Sequence, residues 1–182
     1  MYEFNMEQLS VRPLDESYWV LPGRLLAGSY LRFSRDEDET RAKLRRLLGS
    51  GISYFIDFTE AGEKGLNAYQ TLLREEAAAL GVTAEYRRWP IKDFSIPAIA
   101  KMREILTTLE AILAAGHAIY MHCYAGIGRT GVVAGCLLAQ RGLAGEVALA
   151  KLAQLQRGTP FEGSSTPVTP QQRQMVRDWP DP

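Results

Sequence analysis

Cysteine is scarce in this chain, with two in 182 residues, Cys123 and Cys136. That excludes a disulfide-stapled scaffold and leaves thiols that fit a reducing compartment, so a cytoplasmic location is expected. An excess of one charge is also lacking. Twenty-one basic residues balance 21 acidic ones, so no bulk field draws the chain to nucleic acid or to a membrane, and any anion must be recognised locally. Long apolar runs are missing too: nothing approaches the ~18 consecutive apolar residues of a membrane span. The polar, acidic start from Met1 to Ser10 has neither the basic opening nor the apolar stretch of a secretory signal. No His, Cys or carboxylate cluster has metal-ligand spacing, so neither a metal nor another cofactor is expected. What is present is the composition of a globular protein, 46% hydrophobic and 23% charged, at a length that suits one domain over residues 1–182, of which 1–17 read as an irregular extension.

Periodicity orders the rest. Tyr18 to Leu21 and Arg24 to Ala27 read as an edge hairpin around Pro22-Gly23. Asp36 to Leu48 has the acid-first, glycine-last asymmetry of a helix. Ile52 to Phe58 is a near-continuous apolar run, as in a strand covered on both faces. A helix around Ala68 to Leu80 comes next, then a strand at Val82 to Trp89, a proline-bounded loop from Trp89 to Pro97, a helix from Pro97 to Ala115 and a buried strand at Ala118 to His122. Gly128 to Arg141 is an apolar core helix, Glu146 to Gln156 another, and Pro170 to Trp179 a last short one. Strands alternating with helices predict an α/β fold, a largely parallel twisted sheet of about five strands flanked by helices.

The chemistry concentrates at one strand-to-helix junction, His122-Cys123-Tyr124-Ala125-Gly126-Ile127-Gly128-Arg129-Thr130-Gly131. Open α/β sheets bind ligands at such strand ends. Gly126 and Gly128 are free to take positive φ, so the backbone from Tyr124 to Gly128 can curl its N–H groups inward above a helix N-terminus, forming a cradle for a dianion. A thiol held there ionises readily, which makes Cys123 the expected nucleophile. Arg129 can return to the same centre and grip two phosphate oxygens with its planar fork. The Thr130 hydroxyl can donate to the sulfur as it leaves, and His122 is expected to brace the loop through backbone hydrogen bonds rather than act as a base. Cys136, inside an apolar helix, reads as a packed thiol, His117 as an exposed turn residue, and Asp57, at a strand end, as a structural carboxylate.

This loop resembles the His-Cys-five-residues-Arg-Ser/Thr signature of the protein tyrosine and dual-specificity phosphatase superfamily. Leu25 to Tyr30, Phe55 to Glu60 and Pro167 to Trp179 are similar to the compact dual-specificity, kinase-associated-phosphatase type and its bacterial relatives. The resemblance implies hydrolysis of phosphate monoesters through a cysteinyl-phosphate intermediate. Departure of the alcohol needs a proton, and Asp93, with a proline four residues later in Pro90 to Pro97, matches the family's general acid. Trp89-Pro90 suggests the Trp-Pro-Asp loop of receptor-type enzymes, but the Asp is displaced by two positions. Gln172 resembles a glutamine that positions the hydrolytic water; a surface residue opening the last helix is the other reading.

Tyr124, Ala125 and Ile127 are neutral where phosphoinositide phosphatases carry lysines. A phosphorylated protein or peptide is therefore the expected substrate, phosphotyrosine with phosphoserine and phosphothreonine open, acted on by a monomer with no nucleic-acid or membrane partner. The competing readings are a catalytically weak phosphoprotein-binding domain and a phosphoinositide or small-molecule phosphatase.

Overall fold

The computed structural model describes residues 11–179. The irregular extension expected over 1–17 lies outside the described residues up to residue 10, and Ser17 already belongs to a strand. Five strands form one sheet in the order β1-β2-β5-β3-β4. They are β1 (Ser17–Leu21), β2 (Leu25–Gly28), β3 (Ile52–Asp57), β4 (Glu85–Arg88) and β5 (Ala118–His122). β1 and β2 pair antiparallel as the edge hairpin; every other pairing is parallel. The chain thus has the mixed α/β architecture that the alternation of elements predicts.

Side-chain alternation on the strands divides the core in two. On β5, Ile119 and Met121 face one cluster while Ala118 and Tyr120 face the other; on β2, Leu25 and Ala27 oppose Leu26 in the same way. Helices α1 (Glu37–Gly49) and α2 (Gln70–Ala79) bury Leu44, Leu47, Leu72 and Leu73 on one face. Helices α3 (Ile99–Ala114), α4 (Arg129–Gln140), α5 (Gly145–Leu155) and α6 (Pro170–Asp178) cover the other. Helix α4 is sandwiched between the sheet and its neighbouring helices, which is why its residues from Arg129 to Ala139 are all buried and why its sequence is apolar on every side.

Two local expectations need correcting. The strand expected at Val82 to Trp89 shrinks to Glu85–Arg88, because the chain leaves α2 through Gly81 at φ +67 and residues 82 and 83 stay exposed in the turn. His117 is not a free turn residue: it is half-buried, with Nδ1 3.1 Å from Ser53 Oγ and its ring against Tyr54. The exit of β5 into α4 sits at the centre of the sheet's C-terminal edge, flanked by the exits of β2 and β3. Whatever the loop 123–128 does, it does with residues from both neighbours at hand.

Candidate active site

The loop leaving β5 is anchored from outside. Tyr30 N–H donates to Tyr124 O at 2.9 Å, Phe58 N–H to His122 O at 2.9 Å, and the Tyr18 hydroxyl to Gly126 O at 3.1 Å. In a trans peptide the carbonyl and the next N–H point in opposite directions. Carbonyls fixed outward at Tyr124 and Gly126 therefore turn the amides of Ala125 and Ile127 inward. Gly126 takes φ +78, and a Cβ there would lie 2.4 Å from the Gly28 backbone, so the close approach of the two chain segments requires glycine twice over. Gly128 departs from expectation: at φ −82 it is the residue that caps α4 and needs no left-handed conformation.

His122 is fully buried and shares the loop with the frame beneath it. Its Nδ1 lies 3.3 Å from Cys123 O, an oxygen that can only accept, so Nδ1 carries the proton and Nε2 accepts from the Tyr69 hydroxyl at 2.6 Å. Burial lowers the His122 pKa against the pull of Asp57, which keeps the imidazole neutral. Asp57, at the end of β3 and paired in register with His122, is itself fully buried. It accepts from Thr59 N–H and hydroxyl, from the Tyr86 hydroxyl at 2.6 Å and from Arg88. Burial works against its ionisation, but electrostatic attraction to the adjacent His122 ring and the hydrogen bonds from Thr59 and Tyr86 prevail and hold its carboxyl below the ordinary value.

Removing the buried carboxylate from Thr59, Tyr86 and Arg88 with Asp57→Ala is expected to destabilise the fold by about 3–5 kcal/mol, measured by urea unfolding. Because the folded carboxyl titrates below its unfolded value, its contribution is complete above the ordinary carboxylate range and is lost as pH falls through the folded value. The difference between wild type and variant should therefore shrink on acidification. A pH-independent difference would mean that packing, not charge, is lost.

Cys123 is almost wholly buried at the floor of a pocket of about 170 Å³, which Tyr124, Ala125, Ile127, Gly128 and Arg129 also line. The structure brings Asp93 and Gln172 into the same pocket, together with Lys64, Phe94 and Val168. Thr130, the residue after Arg129, does not line this pocket; its Oγ1 is buried with no hydrogen-bond partner. Gln172 is fully buried rather than on the surface. It is the third residue of a reciprocal cap with Thr169 at the start of α6, and its Nε2 donates to Ser95 O at 2.9 Å, tying α6 to the loop that carries Asp93. Cys136 is a fully buried core thiol whose pKa burial pushes upward.

Sequence reasoning missed two residues. Glu63 and Lys64 belong to the tight turn Glu63–Gly65 that comes after β3. Glu63 grips Arg129 through two hydrogen bonds, Nη1 to Oε2 at 2.5 Å and Nη2 to Oε1 at 2.6 Å. Arg129 Nη1 also donates to Ile91 O at 3.0 Å. The guanidinium is thereby locked in one plane, with its buried Nε left unpartnered. Lys64 adopts the left-handed region, φ +49, and its Nζ donates to Asp93 Oδ2 at 2.6 Å while lying 4.5 Å above the Tyr124 ring. Asp93 is thus paired with two cations that line the same pocket, Lys64 through Oδ2 and Arg129 through Oδ1. Burial disfavours the charged carboxyl of Asp93, but the hydrogen bond to Lys64 and the positive charges of Arg129 and Lys64 outweigh it, and its pKa is lowered.

The family model described as Tc-R-P, a polymorphic toxin system DSP-PTPase phosphatase, matches residues 32–143, which is more than half the chain and includes Glu63, Asp93 and the whole loop 122–131. The chain belongs to this DSP-PTPase family. Among curated proteins, it is 32% identical over 103 residues to a putative tyrosine phosphatase 067L of Invertebrate iridescent virus 3, a match covering 53% of this chain and 38% of the viral protein. The chain therefore spans well under half the length of that relative. Among solved structures, the active form of Tk-PTP superposes with a TM-score of 0.67 at 20% identity, covering 90% of this chain and 95% of the other. The kinase associated phosphatase superposes with a TM-score of 0.64 at 24% identity, covering 85% and 84%. These two likenesses show that the chain shares the fold of those two phosphatases. Gln172 and α6 lie beyond the stretch that the DSP-PTPase family model matches.

Proposed function

We propose that the described residues form a single phosphatase domain that hydrolyses phosphate monoesters of tyrosine and dual-specificity type, with phosphorylated proteins or peptides as substrates. One observation carries this reading. A buried cysteine, an arginine locked with one donor unspent, and a carboxylate converge on one pocket. The inward amides of the loop and Arg129 Nε would hold the phosphoryl oxygens while the Cys123 sulfur attacks phosphorus and the P–O bond to the leaving group breaks. Asp93 would give its proton to the departing oxygen. It would then take one from the water that attacks the phosphocysteine, with Gln172 placing that water and Thr130 donating to the sulfur as it leaves.

The rim favours an aryl phosphate. Phe33 packs edge-on to Tyr124 with centroids 5.1 Å apart, Phe94 projects beside Lys64, and all three rings border the mouth or flank a residue that does. Flat aromatic walls suit a phosphotyrosyl ring better than a phosphoseryl stem. The phosphoinositide reading has one observation in its favour, since Lys64 supplies at the rim a cation that the loop itself lacks. Initial rates on matched phosphotyrosyl and phosphoseryl peptides and on phosphoinositide vesicles would decide. The proposal expects the phosphotyrosyl peptide to have the highest kcat/KM, and a preference for the vesicles would contradict it. A reducing cytoplasm is the compartment that the two unpaired cysteines support. Among the described residues, no helix is long and apolar enough to cross a membrane.

Glu63 holds the arginine in register without meeting substrate. Glu63→Gln should lower kcat/KM for an aryl phosphate by about 10–100-fold, since small misplacement of an orienting group carries penalties of that size. Circular dichroism should remain that of the wild type. An unchanged rate would show that the loop alone orients Arg129.

A further inference from the structure

The guanidinium of Arg129 has five N–H donors, and its contacts can be assigned one by one. Glu63 takes one proton from each terminal nitrogen, and Ile91 O at 3.0 Å, with Phe58 O more distant at 3.4 Å, takes the second on Nη1. What remains for an oxyanion is Nε, unpartnered and buried, and the second proton of Nη2. That last position is not vacant of charge, because Asp93 Oδ1 lies 3.2 Å from Nη2 while its other oxygen is bound by Lys64. The carboxylate stands where one oxygen of a bound phosphate would compete for the same nitrogen. A group that must donate a proton during catalysis is therefore held ionised by the cation that has to receive the substrate.

The charges around Asp93 decide its response to an arriving anion. Arg129 and Lys64 are the cations facing it, Glu63 is a carboxylate on the same turn as Lys64, Cys123 lies across the pocket, and the Phe94 N–H is its nearest backbone donor. The two cations are already balanced by the two carboxylates. A phosphate dianion entering this cluster would be repelled by Asp93 unless the carboxylate left Arg129 and lost its charge. We infer that Asp93 is the substrate-free partner of Arg129 and that an incoming dianionic oxyanion displaces it, with uptake of one proton from solvent by the released carboxylate. This rests on the proposed phosphatase reading and deepens it: binding itself loads the general acid. The linkage is reciprocal, so protonating Asp93 must tighten oxyanion binding by the factor with which the oxyanion favours the proton.

Inorganic sulfate, a dianion that does not itself titrate from mildly acidic to neutral pH, tests this by calorimetry in buffers of different ionisation enthalpy. Wild type should bind one sulfate with a buffer-dependent enthalpy that reports proton uptake, and the affinity should rise as pH falls. Asp93→Asn should bind about tenfold more tightly, with an enthalpy independent of buffer and an affinity independent of pH. One-to-one binding to wild type without proton uptake would overturn the inference and leave the phosphatase reading intact. Uptake that persists in Asp93→Asn would assign the proton to another group, Cys123 first, and would also overturn it. No sulfate binding to either protein would remove the anion pocket on which both readings stand.

Discussion

Cys123→Ser should reduce hydrolysis of an aryl phosphate by about 10⁵–10⁶-fold, because removal of a covalent nucleophile leaves only binding and electrostatic assistance. The serine oxygen is a far weaker nucleophile at neutral pH, and no neighbouring base is placed to activate it: His122, the adjacent imidazole, is sealed between Tyr69 and the loop backbone. The substitution should not unfold the protein, since the loop is anchored through Tyr18, Tyr30 and Phe58 rather than through the sulfur. Oxyanion binding should survive. Measured by release of the phenolate, residual activity within tenfold of wild type would exclude the cysteinyl route, and wild-type protein without activity would favour a phosphoprotein-binding domain instead.

Asp93→Asn is expected to lower kcat by about 10²–10⁴-fold, the range for loss of general acid-base assistance, while substrate still binds. The pH profile carries the sharper information. In the free protein Lys64 and Arg129 hold the Asp93 carboxyl below its ordinary value, so the acid is ionised over most of the accessible range. If a bound phosphate displaces it from Arg129, the basic limb of kcat should lie at higher pH than the basic limb of kcat/KM, and both limbs should vanish in Asp93→Asn. Leaving groups of low pKa should suffer least from the substitution, because they depart without a proton. A uniform loss across leaving groups, with the pH profile unchanged, would show that Asp93 serves structure rather than proton transfer.

How much of the site is legible in the sequence differs from residue to residue for physical reasons. The loop from His122 to Thr130 can be read because its chemistry is contiguous: a buried strand, a nucleophile, glycines and an arginine must succeed one another for the backbone to close on an anion. Asp93 can be found because a leaving group needs a proton and a loop must bring it. Glu63 and Lys64 cannot be placed, since Glu63 reaches Arg129 and Lys64 reaches the pocket only through the parallel pairing of β3 with β5, which sets the exits of both strands side by side. The local signal, an acidic and glycine-rich turn from Thr59 to Gly65 directly after a buried strand, fits an ordinary surface loop equally well. Gln172 reads equally as a surface or a site residue. Its burial depends on α6 folding back against α4 and the Asp93 loop, a long-range contact with no local signature. Gly128 shows the opposite error: two glycines in a tight loop suggest two left-handed residues, but a helix-capping position leaves only one of them in that conformation.

In the proposed reaction the Cys123 sulfur takes the phosphoryl group while Arg129 and the loop amides hold its oxygens. Acid quenching of wild-type protein during turnover of an aryl phosphate, coupled to intact-mass and peptide mass spectrometry, reads this directly. The account predicts a single added phosphoryl group on the peptide containing Cys123, accumulating further in Gln172→Ala if that glutamine places the water. Turnover at the wild-type rate with no adduct, or an adduct on any other residue, would contradict it.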